Sequence, residues 1–499
     1  MADGLRRSAN SRPDHPALVS HSERVSYRML DRNADRVAAG LHKIGIRDGD
    51  RVAFSLPNTP DFASVYFGVL RAGAVSVPLN TSLKAAELRP YLTGVAPRVI
   101  ISDESAIGEI MSAGPFSAPV YVVGKHPTAR PFDQLLDGGP PPEVTVGDED
   151  LAVLAYTSGT SGGQKAAMLT HGNLKSNINQ VLALPMGRTS ADDVVLGVLP
   201  LFHIYALNVI LGLSIDQGAT VVLEERFDPV GTMRRVARDG VTIIVGAPPM
   251  YIAWLAALNP SDFDLSSVRF AVSGASALSA QVIDDFREKF GIEIWEGYGL
   301  TETSPTLTTT RMGEQRPGSV GKPVEGVELR VVCESGEGAV TGDPGEVWVK
   351  GPNVFNGYWN DEEATAAAFA DGWFRTGDLG YLDEDGYLWL VDRKKELIIV
   401  SGFNVYPKEV EDVILRHPAV IDAAVVGIPH ERQGEAVKAF VVRRQDQQAS
   451  EEEIIVHCTR QLARFKVPTE VEFVAELPHL ATGKVLKRML RPPELGQVH

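Results

Sequence analysis

The chain has 499 residues, 44% of them hydrophobic, with a formal charge of −16 and a pI near 5.2. That length exceeds what one hydrophobic core fills, so at least two domains are expected in a soluble, globular chain. The acidic balance excludes a nucleic-acid partner and a strong anionic-membrane patch, since both need clustered Lys and Arg, and it leaves nucleotide phosphates to a few placed cations.

Residues 1–10 hold Asp3, Arg6 and Arg7 with no apolar run behind them, so no secretory leader is read. Cys333 and Cys458 are too few and too far apart for a disulfide framework or a four-ligand zinc site, which suits a reducing, cytoplasmic setting. Runs of β-branched and aliphatic residues at 152–154, 194–196, 219–223 and 241–245 alternate with helix-like stretches such as 281–290. The pattern is βαβ, which gives a parallel sheet with helices on its faces.

Residues 194–215 carry no charge and are long enough to span a bilayer, but Pro200, His203, Tyr205, Asn208 and two glycines interrupt them. They read as buried core around a pocket, with no transmembrane segment. Pro/Gly-rich breaks fall at 138–142 and 313–326. From about 329 the texture changes to short strands separated by Gly342-Asp343-Pro344-Gly345, Ala370-Asp371-Gly372 and Leu382-Asp383-Glu384-Asp385-Gly386-Tyr387, the turns of a small β-rich subdomain. After the charged cluster Asp392-Arg393-Lys394-Lys395-Glu396, strands at 423–428 and 439–442 and helices at 408–415 and 451–463 suffice for a small α+β domain. The expected division is a large α/β domain over 1–392 and a small one over 393–499.

The segment Tyr156-Thr157-Ser158-Gly159-Thr160-Ser161-Gly162-Gly163-Gln164-Lys165 follows the strand-like run 151–155. Glycines let successive N–H groups approach phosphate oxygens, hydroxyls add donors, and Lys165 adds charge. The spacing is not that of a Walker A loop, because Gln164 precedes the lysine and Ala166 follows it. A plain flexible surface loop has the same composition.

Read together, five motifs in order resemble the adenylate-forming superfamily of acyl-CoA synthetases, amino-acid adenylation domains and beetle luciferases, over nearly the whole chain. They are this loop; Gly297-Tyr298-Gly299-Leu300-Thr301-Glu302; Phe374-Arg375-Thr376-Gly377-Asp378; Asp392-Arg393-Lys394-Lys395-Glu396 with Ser401-Gly402-Phe403-Asn404-Val405-Tyr406-Pro407; and Leu477-Pro478 with Thr482-Gly483-Lys484. The resemblance implies ATP, Mg²⁺ and CoA as reactants beside a small carboxylic acid. Oligomeric state and peripheral membrane contact stay open.

The resemblance also implies roles. Thr157, Ser158, Gly159, Thr160, Ser161, Gly162 and Lys165 would cradle phosphates, Thr301 would donate to the α-phosphate, and Glu302 would hold Mg²⁺. Tyr298 and Gly299 would flank adenine beside Gly274-Ala275-Ser276, while Asp378 and Arg393 would contact the ribose. Lys484 would reach the reacting groups from the small domain, which turns about Lys395 and replaces Lys484 with Ser401-Gly402-Phe403 along a thiol tunnel. Gln164 and Ala166 replace the family's proline and glycine beside Lys165, and Ser161 replaces a threonine. Losing both conformational specialists could alter loop closure. A catalytically silent nucleotide-binding homologue is therefore the alternative of another class.

For the acid, Pro200-Leu201-Phe202-His203-Ile204-Tyr205-Ala206-Leu207-Asn208 resembles 4-coumarate:CoA ligases, and the stretch from Glu296 to Pro305 resembles bacterial long-chain fatty acyl-CoA ligases. Adenylation domains for amino acids place an aspartate where His203 stands, so an amino acid is disfavoured. His203 gates the pocket and joins the catalytic set, or is a buried structural histidine. Tyr205, Gly246, Ala247, Met250, Gly274 and Gly297 form an apolar pocket with several small residues. The expected activity is medium- or long-chain fatty acid:CoA ligation through an acyl-adenylate, with an arylpropenoate ligase as nearest rival and a carrier-protein-loading ligase behind it.

Overall fold

The alternating apolar runs build two large sheets, with helices packed between consecutive strands. The computed structural model describes residues 1–136, 139–157, 164–276, 278–333, 335–393, 396–400, 403–430, 434–444, 447, 449–479 and 485–490. It divides into two units: Met1–Glu328 with Val349–Phe374, and Leu329–Trp348 with Arg375–His499.

In the first unit, a seven-stranded sheet runs in the order Arg130–Pro131, Val120–Val123, Val99–Asp103, Arg51–Ser55, Val75–Pro78, Leu151–Thr157, Lys165–Thr170. A nine-stranded sheet runs Lys322–Pro323, Thr306–Thr309, Ile294–Gly299, Phe270–Ser273, Ile243–Gly246, Val194–Gly197, Thr220–Leu223, Pro16–Val19, Arg24–Ser26. Both are parallel in the middle, as the βαβ pattern requires. Both also have antiparallel edges, which the pattern did not foretell: Lys165–Thr170 against Leu151–Thr157, Thr306–Thr309 against Ile294–Gly299, and Arg24–Ser26 against Pro16–Val19. The connections at these edges are too short for a crossover helix, which needs a dozen residues or more, so the chain can only double back.

Helix Ala280–Phe290 starts where Ser279 accepts a hydrogen bond from the Val282 N–H and stops at Gly291, whose φ of +68° suits a residue without Cβ. The uncharged run 194–215 resolves into a strand, a turn and a π-helix over Tyr205–Gly212. Between Ile204 and Ile215 all residues are buried except Tyr205 and Val209, which are half-buried and four residues apart. Among the described residues no helix is long and apolar enough to cross a membrane.

In the second unit, residues 388–393 pair antiparallel with 378–382, and Gly342 and Gly386 take left-handed turns at φ +90° and +80°. The C-terminal part has a sheet in the order Phe403–Val405, Ile398–Val400, Gly434–Arg443, Val420–His430, with Glu470–Val474 also on Gly434–Arg443. Its core holds Val400, Val425, Val437 and Ile454. Its two long strands exceed the expected runs because they pair with each other from Val420↔Arg443 to His430↔Gly434. Helix Glu451–Thr459 ends four residues early, where the Gln461 and Leu462 N–H groups both donate to the Cys458 carbonyl and fold Leu462 and Phe465 onto the core. The expected boundary at 392/393 lies inside strand Leu388–Arg393.

Two glycines of one strand are constrained very differently. A Cβ on Gly299 would overlap the Pro305 carbonyl, whereas on Gly297 it would sit 3.5 Å from the Thr308 oxygen. Gly299→Ala is therefore expected to lose about 3 kcal/mol in urea unfolding, and Gly297→Ala less than about 1 kcal/mol.

Candidate active site

Parallel strands present their carboxyl ends to one edge of a sheet, and ligands of such folds bind there. In the nine-stranded sheet that edge carries Gly246, Gly274 and the segment Gly297 to Glu302. Residues 300–305 form no regular ladder, so their peptide groups, and those of Thr306 where the ladder begins, need other partners. Buried asparagines supply them. Asn353 Nδ2 donates to the carbonyls of Thr303 (2.8 Å) and Thr306 (3.1 Å). Asn208 donates to Ser304 (2.7 Å) and to Leu174 in the neighbouring helix His171–Leu182 (3.1 Å). Asn177 donates to the Thr306 carbonyl (2.8 Å) and accepts from its N–H (3.1 Å). Asn173 ties the carbonyls of Pro352 and Val354, each at 2.9 Å.

On this frame, Thr301 opens a 3₁₀ turn with Glu302 behind it, 8% exposed. Glu302 Oε1 accepts a hydrogen bond from the Tyr358 hydroxyl at 2.8 Å. The Lys165 ammonium lies 5.1 Å from the centroid of the same Tyr358 ring, a cation–π distance. Segment 356–359 bonds along Lys165–Thr170, with Met168 N–H to the Gly357 carbonyl and Trp359 N–H to the Ala166 carbonyl, both at 2.9 Å. One tyrosine thus couples the lysine of the glycine-rich segment to the carboxylate of the second motif. Thr157 pairs with Lys165 across the strands and is half-buried.

Ala166 faces Tyr156 in this ladder, is 5% exposed, and has no left-handed backbone. Nothing in its conformation demands the glycine that the resemblance expects there.

Gly274 lets the Tyr205 ring approach to where a Cβ would lie 2.9 Å from it, and Gly246 does the same for Tyr251 at 3.0 Å. Ala247 and Met250 are buried at the start of helix Pro248–Ala257. Ala275 takes φ +71°, a strained value for a residue with a Cβ, and is exposed beside half-buried Ser276. Tyr298 and Gly299 are half-buried on their strand.

His203 keeps some surface accessible, but the protein around its ring lowers its pKa to about 4, so the imidazole is neutral near pH 7. Its Nδ1 accepts the Tyr205 N–H at 3.4 Å, which leaves a proton for Nε2. The pocket therefore carries no fixed charge at His203.

In the second unit, Asp378 is 5% exposed and stands opposite Arg393 in the strand register. Its N–H donates to the Thr376 hydroxyl at 3.1 Å, which donates to the Val347 carbonyl at 2.8 Å. Phe403 is 56% exposed and stacks on Phe465 at 4.7 Å. Ser158, Gly159, Thr160, Ser161, Gly162, Lys395, Ser401, Gly402, Lys484 and the Arg393 side chain lie outside the described residues.

Tyr358, Asn173, Asn177 and Asn353 were not singled out from the sequence, and Asn208 was named only as a polar break in an apolar run and the end of a motif. The only local signal was Gly357-Tyr358-Trp359, an aromatic pair behind a glycine of φ +119°.

The chain belongs to the AMP-binding enzyme family, whose model matches residues 5–359, with the AMP-binding enzyme C-terminal domain over residues 409–484. It is 35% identical to a long-chain-fatty-acid–CoA ligase of Bacillus subtilis, covering 99% of this chain and 94% of that one. A feruloyl-CoA synthase of Amycolatopsis is 36% identical over 97% of each. Among solved structures, ATP-bound MatB from Rhodopseudomonas palustris superposes with a TM-score of 0.90 at 36% identity over 98% of both chains.

Burial, with the chain's amino group and Lys175, lowers the pKa of His171 to about 4, as burial does for His203. The unfolded chain takes up these protons near pH 6.5, the folded one only near 4, so stability is lost as pH falls through that window. Urea unfolding is expected to show a loss of about 1–2 kcal/mol per histidine between pH 7 and 5, reduced by one share in His171→Asn.

Proposed function

We propose that the protein is an ATP-dependent acyl-CoA synthetase that activates a medium- or long-chain fatty acid. The acid carboxylate attacks the α-phosphorus of ATP, pyrophosphate leaves, and the acyl-adenylate is then attacked by the CoA thiol, releasing AMP. One observation supports the fatty acid above others: on one face of the nine-stranded sheet, Val245, Val272 and Trp295 stand side by side, with Gly274 and Gly297 two residues beyond the last two on the same face. Small residues at the rim and an apolar row beneath suit an alkyl chain entering lengthwise. The name of the Bacillus relative agrees with this reading.

Displacement at phosphorus gains most from positioning and from cations that absorb developing charge. In this reading Lys165 and the hydroxyls from Thr157 to Ser161 hold the β- and γ-phosphates, with Gly159 and Gly162 giving close approach. Thr301 donates to the α-phosphate. Tyr298, beside Gly274-Ala275-Ser276, supports adenine, and Asp378 with Arg393 takes the ribose. Lys484 brings charge to the reacting carboxylate, and rotation about a hinge near Lys395 exchanges it for Ser401-Gly402-Phe403.

Mg²⁺ fits the donor set. Among the described residues no three His, Cys, Asp or Glu converge on a metal position. A magnesium ion typically takes one or two carboxylates and completes its shell with substrate phosphates and water. Glu302, buried and next to Thr301, is that carboxylate, and the bound ion would neutralise phosphate charge.

An arylpropenoate ligase is the second reading, favoured by the feruloyl-CoA synthase relative. Against a silent homologue stand Ala166, which sits in an ordinary strand, and the retained Lys484, Glu302 and Asp378.

The test is ATP–pyrophosphate exchange with acetate, octanoate, palmitate and 4-coumarate, each followed by CoA. Exchange and thioester formation with a fatty acid are expected; exchange with 4-coumarate alone would select the second reading, and none at all the silent one. Lys484→Ala should abolish exchange yet spare thioester formation from supplied acyl-adenylate, and equal loss of both would refute the rotation. Tyr358→Phe should raise the KM for Mg-ATP several-fold, by about 1 kcal/mol, through looser placement of Glu302.

A further inference from the structure

Arg311 is a buried cation whose charge no carboxylate among the described residues answers. It is 5% exposed, its Nη1 donates to the Gly187 carbonyl at 3.0 Å, and its guanidinium lies 5.9 Å from the centroid of the Phe270 ring. Its Nε has no partner, and no ion pair is formed with any described residue. An unanswered buried charge costs several kcal/mol, so such a group marks a place where an anion belongs. Burial lowers its pKa only to about 10, so it stays charged at neutral pH.

The sheet register places this cation relative to the site. Side chains two residues apart share a face, so Phe270, Val272 and Gly274 form one row of strand Phe270–Ser273 and its exit. Tyr205 covers Gly274 at the catalytic edge, and Arg311 with Gly187 covers Phe270 at the other end. Four residues of strand, about 13 Å, separate Gly274 from Phe270, and the side chains of Tyr205 and Arg311 lie within electrostatic range of each other above them. Val272 lies midway, flanked by Val245 and Trp295. The Tyr205 hydroxyl is also buried without a partner. The row is apolar along its length and has unmatched polar groups at its two ends.

We propose that Arg311 closes the distal end of the acyl site and recognises a second carboxylate there, so that the preferred substrates are α,ω-dicarboxylic acids of medium chain length. This rests on the acyl-CoA synthetase reading and narrows it. The acid enters with one carboxylate toward Thr301 and Glu302, its methylenes pass Val272, and the far carboxylate meets the guanidinium in a charge-assisted pair. A monocarboxylic acid of equal length would leave Arg311 buried and unpaired.

The experiment compares dodecanoate with dodecanedioate in pyrophosphate exchange, for the full chain and for Arg311→Met and Arg311→Lys. Thermal melts with each acid alone give a binding readout independent of turnover. The wild type is expected to favour the diacid in kcat/KM by at least about tenfold, Arg311→Met to reverse the preference through KM while keeping exchange with octanoate, and Arg311→Lys to fall between. A wild type that favours dodecanoate overturns the inference and leaves the synthetase reading standing. A wild type that exchanges no acid, but is stabilised by dodecanedioate where Arg311→Met is not, refutes the synthetase reading and keeps the anion site. If Arg311→Met does not fold, the wild-type preference decides.

Discussion

The structure depends on how an irregular loop is held inside a protein. A peptide group away from water must find a hydrogen-bond partner or cost a few kcal/mol. Regular strands solve this among themselves, but residues 300–305 cannot, because they turn out of a strand to present Thr301 and Glu302. A carboxamide carries the donor and acceptor of a peptide bond on a short side chain. Asn177, Asn208 and Asn353, all nearly inaccessible, act as detached pieces of backbone, and Gln180 joins the network through its bond to Asn353 at 3.3 Å. The loop is fixed from three directions by side-chain amides.

The same economy governs charge. An acidic protein that handles nucleotide phosphates needs its cations held in place, and Lys165 is held by the face of Tyr358 rather than by a carboxylate. A carboxylate partner would compete with phosphate for the lysine, whereas an aromatic face attracts it and leaves its donors free to turn. The ring's hydroxyl is spent on Glu302, so one residue restrains two charges of opposite sign.

The motifs were legible because each is contiguous: a run of glycines and hydroxyls before a lysine, or a carboxylate after a threonine, can be recognised without knowing what it touches. The βαβ core was legible from the alternation of apolar runs. Tyr358 was not, since its partners lie 56 and 193 residues away and its local context names no chemistry. Asn173, Asn177 and Asn353 were not, because a buried carboxamide looks like any surface residue in a sequence, and Asn208 stood out only because its neighbours are apolar. Ala166 was read as a departure from a flexible loop, yet the strand begins at Lys165, so the demand for a glycine is absent there. The grouping of 329–348 with the C-terminal residues could not be read from turn signals, which report local reversals and not which sheet a strand joins.

The π-helix at Tyr205–Gly212 has a further consequence. Its wider turns use hydrogen bonds one residue longer than those of an α-helix, so the segment stores slack relative to an ordinary helix. Removing one residue from it would let the ladder tighten to the α form while the chain on either side kept nearly its phase, because the wider turns hold about one residue more than an α-helix needs. Tyr205 over Gly274 and Leu213 to Gln217 beyond the segment could then both keep their places. The wall beside Gly274 is thus buffered against a one-residue change of length, which the wider turns take up before any neighbouring element has to move.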